Sequence, residues 1–146
     1  MKKIIFFLVV FIPFVNMSSA QTELTKIEME GKVYQVCKKF PEAIIGEYLY
    51  QKKGAPRVQL NNDGGGYFQR TGVKPHLIEF WICCDEKGEV IKTYSLDGNY
   101  KVTVIYRYLD EDVRALWGEY EMMDINIAYD KGFAIIMEER FHQLRK

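Results

Sequence analysis

Histidine, serine and cysteine are scarce in this chain. It carries 2 histidines and 3 cysteines, and Ser95 is its one serine after residue 20. Ser95 lies between Tyr94 and Leu96 with no glycine-rich elbow around it, which argues against a serine nucleophile. His76 follows Pro75 at a loop-to-strand junction and His142 sits near the C-terminus, so both read as exposed, solvated residues rather than bases. A basic excess is also missing. There are 20 basic and 20 acidic residues, and setting aside Lys2 and Lys3 leaves 18 against 20. A nucleic-acid binder that works by neutralising phosphates needs the opposite balance, so no nucleic-acid partner is expected. No phosphate-cradling loop of the P-loop type occurs. Asn61-Asn62-Asp63 runs into Gly64-Gly65-Gly66, which breaks the alternate ligands of a calcium loop and leaves a turn. No metal and no cofactor is expected.

What the chain does have begins with an address. Met1-Lys2-Lys3 is a short positive start, Ile4 to Phe14 is almost wholly apolar, and Ser18 and Ala20 place small residues before a cut at Gln21. That is the three-part pattern of a secretory signal peptide. The other reading is a membrane anchor, but the apolar run is shorter than the roughly 20 residues of a spanning helix. The expected divisions are a signal peptide at 1–20, an N-terminal segment at 21–43 and one domain at 44–146. The expected location is secreted or periplasmic, with no membrane span after cleavage. Of 146 residues, the 126 after the first 20 suffice for one domain. Hydrophobic residues at 48% and aromatics at 14% argue against disorder.

Export makes a disulfide permissible, yet Cys37, Cys83 and Cys84 are odd in number. Cys83 and Cys84 are neighbours in a strand-like run, so their side chains point to opposite faces. Neither zinc-site nor redox-motif spacing is present. Buried, structural cysteines are the expectation. If one bond exists, it joins Cys37 to Cys83 or Cys84.

From about Gly46 onward the chain reads as strand, turn, strand. The clearest strand is Tyr100 to Tyr108. There Tyr100, Val102, Val104, Tyr106 and Tyr108 share one face and Lys101, Thr103 and Arg107 the other, with Ile105 the one exception. Asn, Asp and Gly mark turns at Asn61–Gly65, Asp85–Gly88 and Asp97–Asn99. Leu116 to Ala128 is long, and its alternation slips near Met122-Met123, which suggests a bulge. The count is eight strands with no useful helical period between them. The expected fold is therefore all-β, an eight-stranded antiparallel up-and-down barrel, with a β-sandwich as the alternative. Residues before Gly46 read as a short helix or irregular segment across one barrel end.

Ten tyrosines are the most informative excess. Tyr100, Tyr106 and Tyr108, with Trp81 and Trp117, are the candidate lining of a ligand pocket inside the barrel. A solid aromatic core is the competing reading. Glu119 and Glu121, on one side of a strand with Trp117 and Met123, form a candidate carboxylate pair for a hydrolase or isomerase. An outward, solvated strand face is the plainer account of them.

Ile45-Gly46-Glu47-Tyr48 resembles the opening of lipocalin-like and calycin barrels, where a glycine, one residue and an aromatic begin strand one. The run Ala134 to Arg140 resembles the closing strand of that group. Val58 to Arg70 and Ile78 to Asp85 resemble small secreted lipocalin-like proteins of Bacteroidetes-type bacteria. The resemblance covers about Ile44 to Arg140, with Tyr48 standing where lipocalins prefer tryptophan. It implies structural roles for Gly46, Tyr48 and Arg140, the arginine packing over the first-strand aromatic at the barrel base. It also implies an exported binder of a small, mainly apolar ligand. An interaction or inhibitor barrel with a filled lumen, and an enzyme using Glu119 or Glu121, are the alternatives.

Overall fold

The computed structural model describes residues 23–49, 56–69, 74–110, 118–136 and 140–143. Along the chain it forms β1 (Leu24–Met29), β2 (Lys32–Cys37), a 3-10 turn (Glu42–Ile44), β3 (Gly46–Leu49), β4 (Pro56–Leu60), β5 (Gly65–Phe68) and β6 (His76–Cys83). There follow β7 (Thr93–Tyr94), β8 (Tyr100–Tyr108), β9 (Tyr120–Ala128), β10 (Phe133–Ile136) and β11 (Arg140–Gln143). Every pairing among them is antiparallel.

Eight strands run as a meander in the order β3-β4-β5-β6-β8-β9-β10-β11, and β11 returns alongside β3. The sheet is thus nearly closed into a barrel, as the strand pattern predicts. The eight are not quite the expected eight. Val90 to Tyr94 yields only a bridge at Val90 and the two-residue β7, while Phe133 to Arg140 divides between β10 and β11. The bulge expected at Met122-Met123 is absent, for β8 and β9 keep one register from Tyr100↔Ile127 to Arg107↔Tyr120. Two methionines in succession blur a polarity pattern without disturbing a backbone ladder: Met123 is buried and Met122 faces outward. The register shift instead falls between Tyr48 and Leu49.

Alternation divides the apolar residues into two clusters. Val58, Leu60, Phe68, Ile78, Phe80, Ile82, Val102, Val104, Met123, Ile125 and Ile127 point into the barrel. Ile27, Val36, Trp81, Cys83 and Ile105 pack together on its outer face. The second cluster corrects the expectation of a helical or irregular segment before Gly46. The β1–β2 hairpin lies there, and β2 pairs with the end of β6 through Val36↔Cys83 and Cys37↔Ile82. Valine and tyrosine at 33, 34 and 36 favour an extended chain, and pairing with an exposed sheet gives that chain its hydrogen bonds. Ile105, the exception in the β8 pattern, is 0% exposed because this hairpin covers it.

Two glycines have steric duties. Gly46 opens β3 at φ +142°, a region open to glycine alone. A Cβ on Gly66 would stand 2.0 Å from the Gln59 carbonyl oxygen, so no side chain fits between β4 and β5 there.

Candidate functional site

The barrel has two unlike ends. At the end where β3, β5, β8 and β10 begin, the segment before Gly46 forms a cap. Ile44 is buried, Phe40, Ala43 and Ile45 pack against the lumen, and the Phe40 ring meets Phe80 at 4.5 Å between centroids. Tyr48 is fully buried, and its hydroxyl donates to the Ile44 carbonyl at 2.9 Å. Burial pushes this phenol well above its ordinary pKa, so it stays a donor.

The opposite end, where β6 and β9 begin and β8 stops, is polar. His76 opens β6 on the lumen side, in step with Ile78, Phe80 and Ile82. It is 7% exposed, which overturns the expectation of a solvated histidine. Its Nδ1 lies 3.2 Å from Asp110 Oδ2, and the Leu77 amide donates to that same oxygen at 2.9 Å. The carboxylate is therefore aimed by backbone and holds the imidazole's orientation. With Nδ1 turned to Asp110, Nε2 is the nitrogen left to meet anything else. The His76 ring stands edge-on to Tyr108 at 6.0 Å, and Tyr108 stands edge-on to Tyr106 at 5.7 Å. Tyr106 donates to Glu121 Oε2 at 2.7 Å. Burial first, then the Glu121 carboxylate, push the Tyr106 phenol far above its ordinary pKa. Tyr106 thus remains a donor, and Glu121 an acceptor turned towards the lumen.

Of the candidate lining residues, Tyr106 and Tyr108 meet at this polar end. Tyr100 also faces inward, but at the capped end, where its ring lies 5.6 Å from Tyr94 and 5.7 Å from Tyr129. Trp81 lies outside the lumen, in the cluster under the hairpin. Its ring meets Tyr120 at 5.8 Å, with Lys38 at 5.3 Å and Arg107 at 5.5 Å from the ring centroid. Trp117 lies outside the described residues. Glu119 is exposed ahead of β9, so only Glu121 of the carboxylate pair turns inward. Arg140 opens β11 as the backbone partner of Ile136. Its side chain, and that of His142, lie outside the described residues, and so does the expected packing of Arg140 on Tyr48.

Arg107 was expected on the outer face, and it is there. It is not idle: it donates to Glu79 Oε2 through Nε at 3.1 Å and Nη2 at 2.7 Å, while Lys38 reaches Glu79 Oε1 at 2.8 Å. Burial raises the Glu79 carboxyl, but hydrogen bonds from Lys38 and Arg107 outweigh it and hold the pKa below its ordinary value.

Sequence reading missed His76 and Asp110. The signal for His76 was parity: starting the strand at position 76 instead of 77 places histidine in the inward row. Asp110 has no such signal, because it follows β8 and is brought to His76 by the β6–β8 register, in which Ile78 pairs with Tyr108. Among the described residues, no group of three or more His, Cys, Asp and Glu could hold a metal ion, and no helix is long and apolar enough to cross a membrane.

No family model, no curated protein and no solved structure matches this chain.

Proposed function

We propose that the protein is an exported, lipocalin-like barrel that binds a small, mainly apolar molecule. The molecule enters at the polar end, opposite the cap. The observation that carries this reading is the pairing of buried polar groups with aromatic walls. His76 with Asp110, and Tyr106 with Glu121, converge on a lumen otherwise lined by Phe68, Ile78, Met123 and Ile125. Burying such groups in a small barrel costs stability unless each is partnered. A purely structural interior would be simpler with apolar residues at 76 and 121. Apolar walls with a few convergent polar groups are the usual make-up of a small-molecule site. The signal-like start of the chain supports export.

A filled lumen serving protein–protein interaction is the second reading. It is favoured by the tight ring contacts of Phe40 with Phe80 at 4.5 Å and Phe68 with Tyr106 at 5.5 Å. Native mass spectrometry of the protein purified from its own host separates the two. Ligand binding predicts a retained small molecule, released on denaturation. A bare polypeptide mass, together with no response to a broad apolar panel, would favour the filled barrel. Trp81 is a poor reporter for such a panel, because its ring sits on the outer face.

A further inference from the structure

We propose that Cys37 and Cys84 form a disulfide that ties the N-terminal hairpin and the cap to the barrel, while Cys83 remains a free thiol. All three cysteines are reduced and buried in this structure. They do not share one environment. Cys37 ends β2 and lies in the lumen cluster with Cys84. Cys83 faces the other way, into the cluster beneath the hairpin. The β2–β6 ladder brings the first pair together: Val36 pairs with Cys83, Cys37 pairs with Ile82, and the Cys84 amide donates to the Gln35 carbonyl at 3.0 Å. Cys37 and Cys84 thus occupy the same face of adjacent chains, within one buried cluster. A bond from Cys37 to Cys83 would have to pass through the sheet.

The chemistry needs an oxidant, here a low-molecular-weight disulfide such as oxidised glutathione. One protein thiolate attacks it and releases one glutathione thiol. The second protein thiolate attacks the mixed disulfide and releases another. Two protein S–H bonds are lost, one S–S bond forms, the two protons pass to the leaving thiolates, and the glutathione disulfide is reduced. The folded protein resists this step. Cys37 is 0% and Cys84 2% exposed, and burial, with Cys37 beside it, pushes the Cys84 thiol up to about 12. Thiolate is the reactive form, so attack is slow once the hairpin is seated. The bond therefore forms while β2 is still leaving or joining β6, and burial then protects it. Burial also pushes Cys83 up to about 11, which keeps the odd thiol unreactive.

The bond is independent of what the lumen binds. It draws on export only for an oxidant, and refolding in a glutathione buffer supplies one directly. The denatured, reduced protein is refolded with oxidised and reduced glutathione, quenched in acid, and alkylated in denaturant for mass counting. The expected result is one alkylated thiol, at Cys83, and a Cys37–Cys84 linked peptide after proteolysis. Cys83→Ser should then show no free thiol, and adding reductant should lower its Tm by roughly 10 °C. The same oxidant added to the folded, reduced protein should leave three thiols over the time in which refolding gives one. Three free thiols after refolding, or any linked peptide containing Cys83, would overturn the proposal.

Discussion

The two ends of this barrel are made of the same tyrosine-rich strands, yet they are finished by different chemistry. At the capped end the chain supplies its own plug: Phe40 on Phe80, Ile44 buried, and the Tyr48 hydroxyl spent on the Ile44 carbonyl. Each polar atom named there has a local backbone partner, and the energetics are those of packing. At the other end His76, Asp110, Tyr106 and Glu121 come from strands or strand ends 15 to 34 residues apart, and they satisfy one another in pairs. Such pairs add little to stability beyond a hydrophobic filling. They do bring hydrogen-bonding groups to the inner side of the sheet. If the polar end is the ligand site, as proposed, stability and recognition fall to opposite ends of one fold.

Truncation in the cap should have the largest effect on stability. Phe80→Ala removes a fully buried ring under Phe40 and should cost about 3–5 kcal/mol in urea unfolding. A loss under about 1 kcal/mol would mean that the cap is not the stabilising end. Tyr106→Phe deletes the hydroxyl that donates to Glu121 and should cost about 1–3 kcal/mol, because a part-buried hydrogen bond is lost. If ligand affinity fell with it while Phe80→Ala left affinity intact, the division of labour would be sharpened. Asp110→Asn keeps the shape but weakens the hold on the His76 imidazole, and it should cost about 1 kcal/mol. A neutral result would make Asp110 a turn residue only.

The smallest effect lies on the outer face. Glu79 has a pKa held below its ordinary value of 4.5 by Lys38 and Arg107, against the opposing pull of burial. A depressed carboxylate contributes stability above its unfolded pKa and loses it as pH falls through the folded value. The contribution should therefore be present at neutral pH and fade below about pH 4.5. It should amount to less than about 1 kcal/mol, since both cations are partly solvated. Glu79→Gln should flatten that part of the acid-unfolding profile and leave the lumen unchanged.

The barrel was legible because period-two alternation survives wherever one face is buried and the other wet. Tyr100 to Tyr108 shows this, and its single misfit, Ile105, marked the place where something covers the outside. What covers it was hidden. Lys32 to Cys37 is β-prone, but nothing local says that it pairs with β6, more than forty residues away. The same limit hid the polar end. Tyr106 and Tyr108 were found by their shared face, whereas Asp110 reaches His76 only through the register of β6 and β8. Trp81 lies on the outer face and not the inner one because an aromatic in a buried strand has two faces to choose from. Its neighbours Phe80 and Ile82 hold the inner one.

Amide chemical-shift mapping would show whether the polar end holds a ligand. The protein is labelled, stripped of any bound molecule by denaturation and refolding, and titrated with the molecule recovered from the native preparation. The largest shifts are expected at His76, Leu77, Tyr106 to Asp110 and Glu121, with the cap from Phe40 to Ile45 little changed. Shifts concentrated at the cap or on the outer face around Trp81, with the polar end silent, would contradict it.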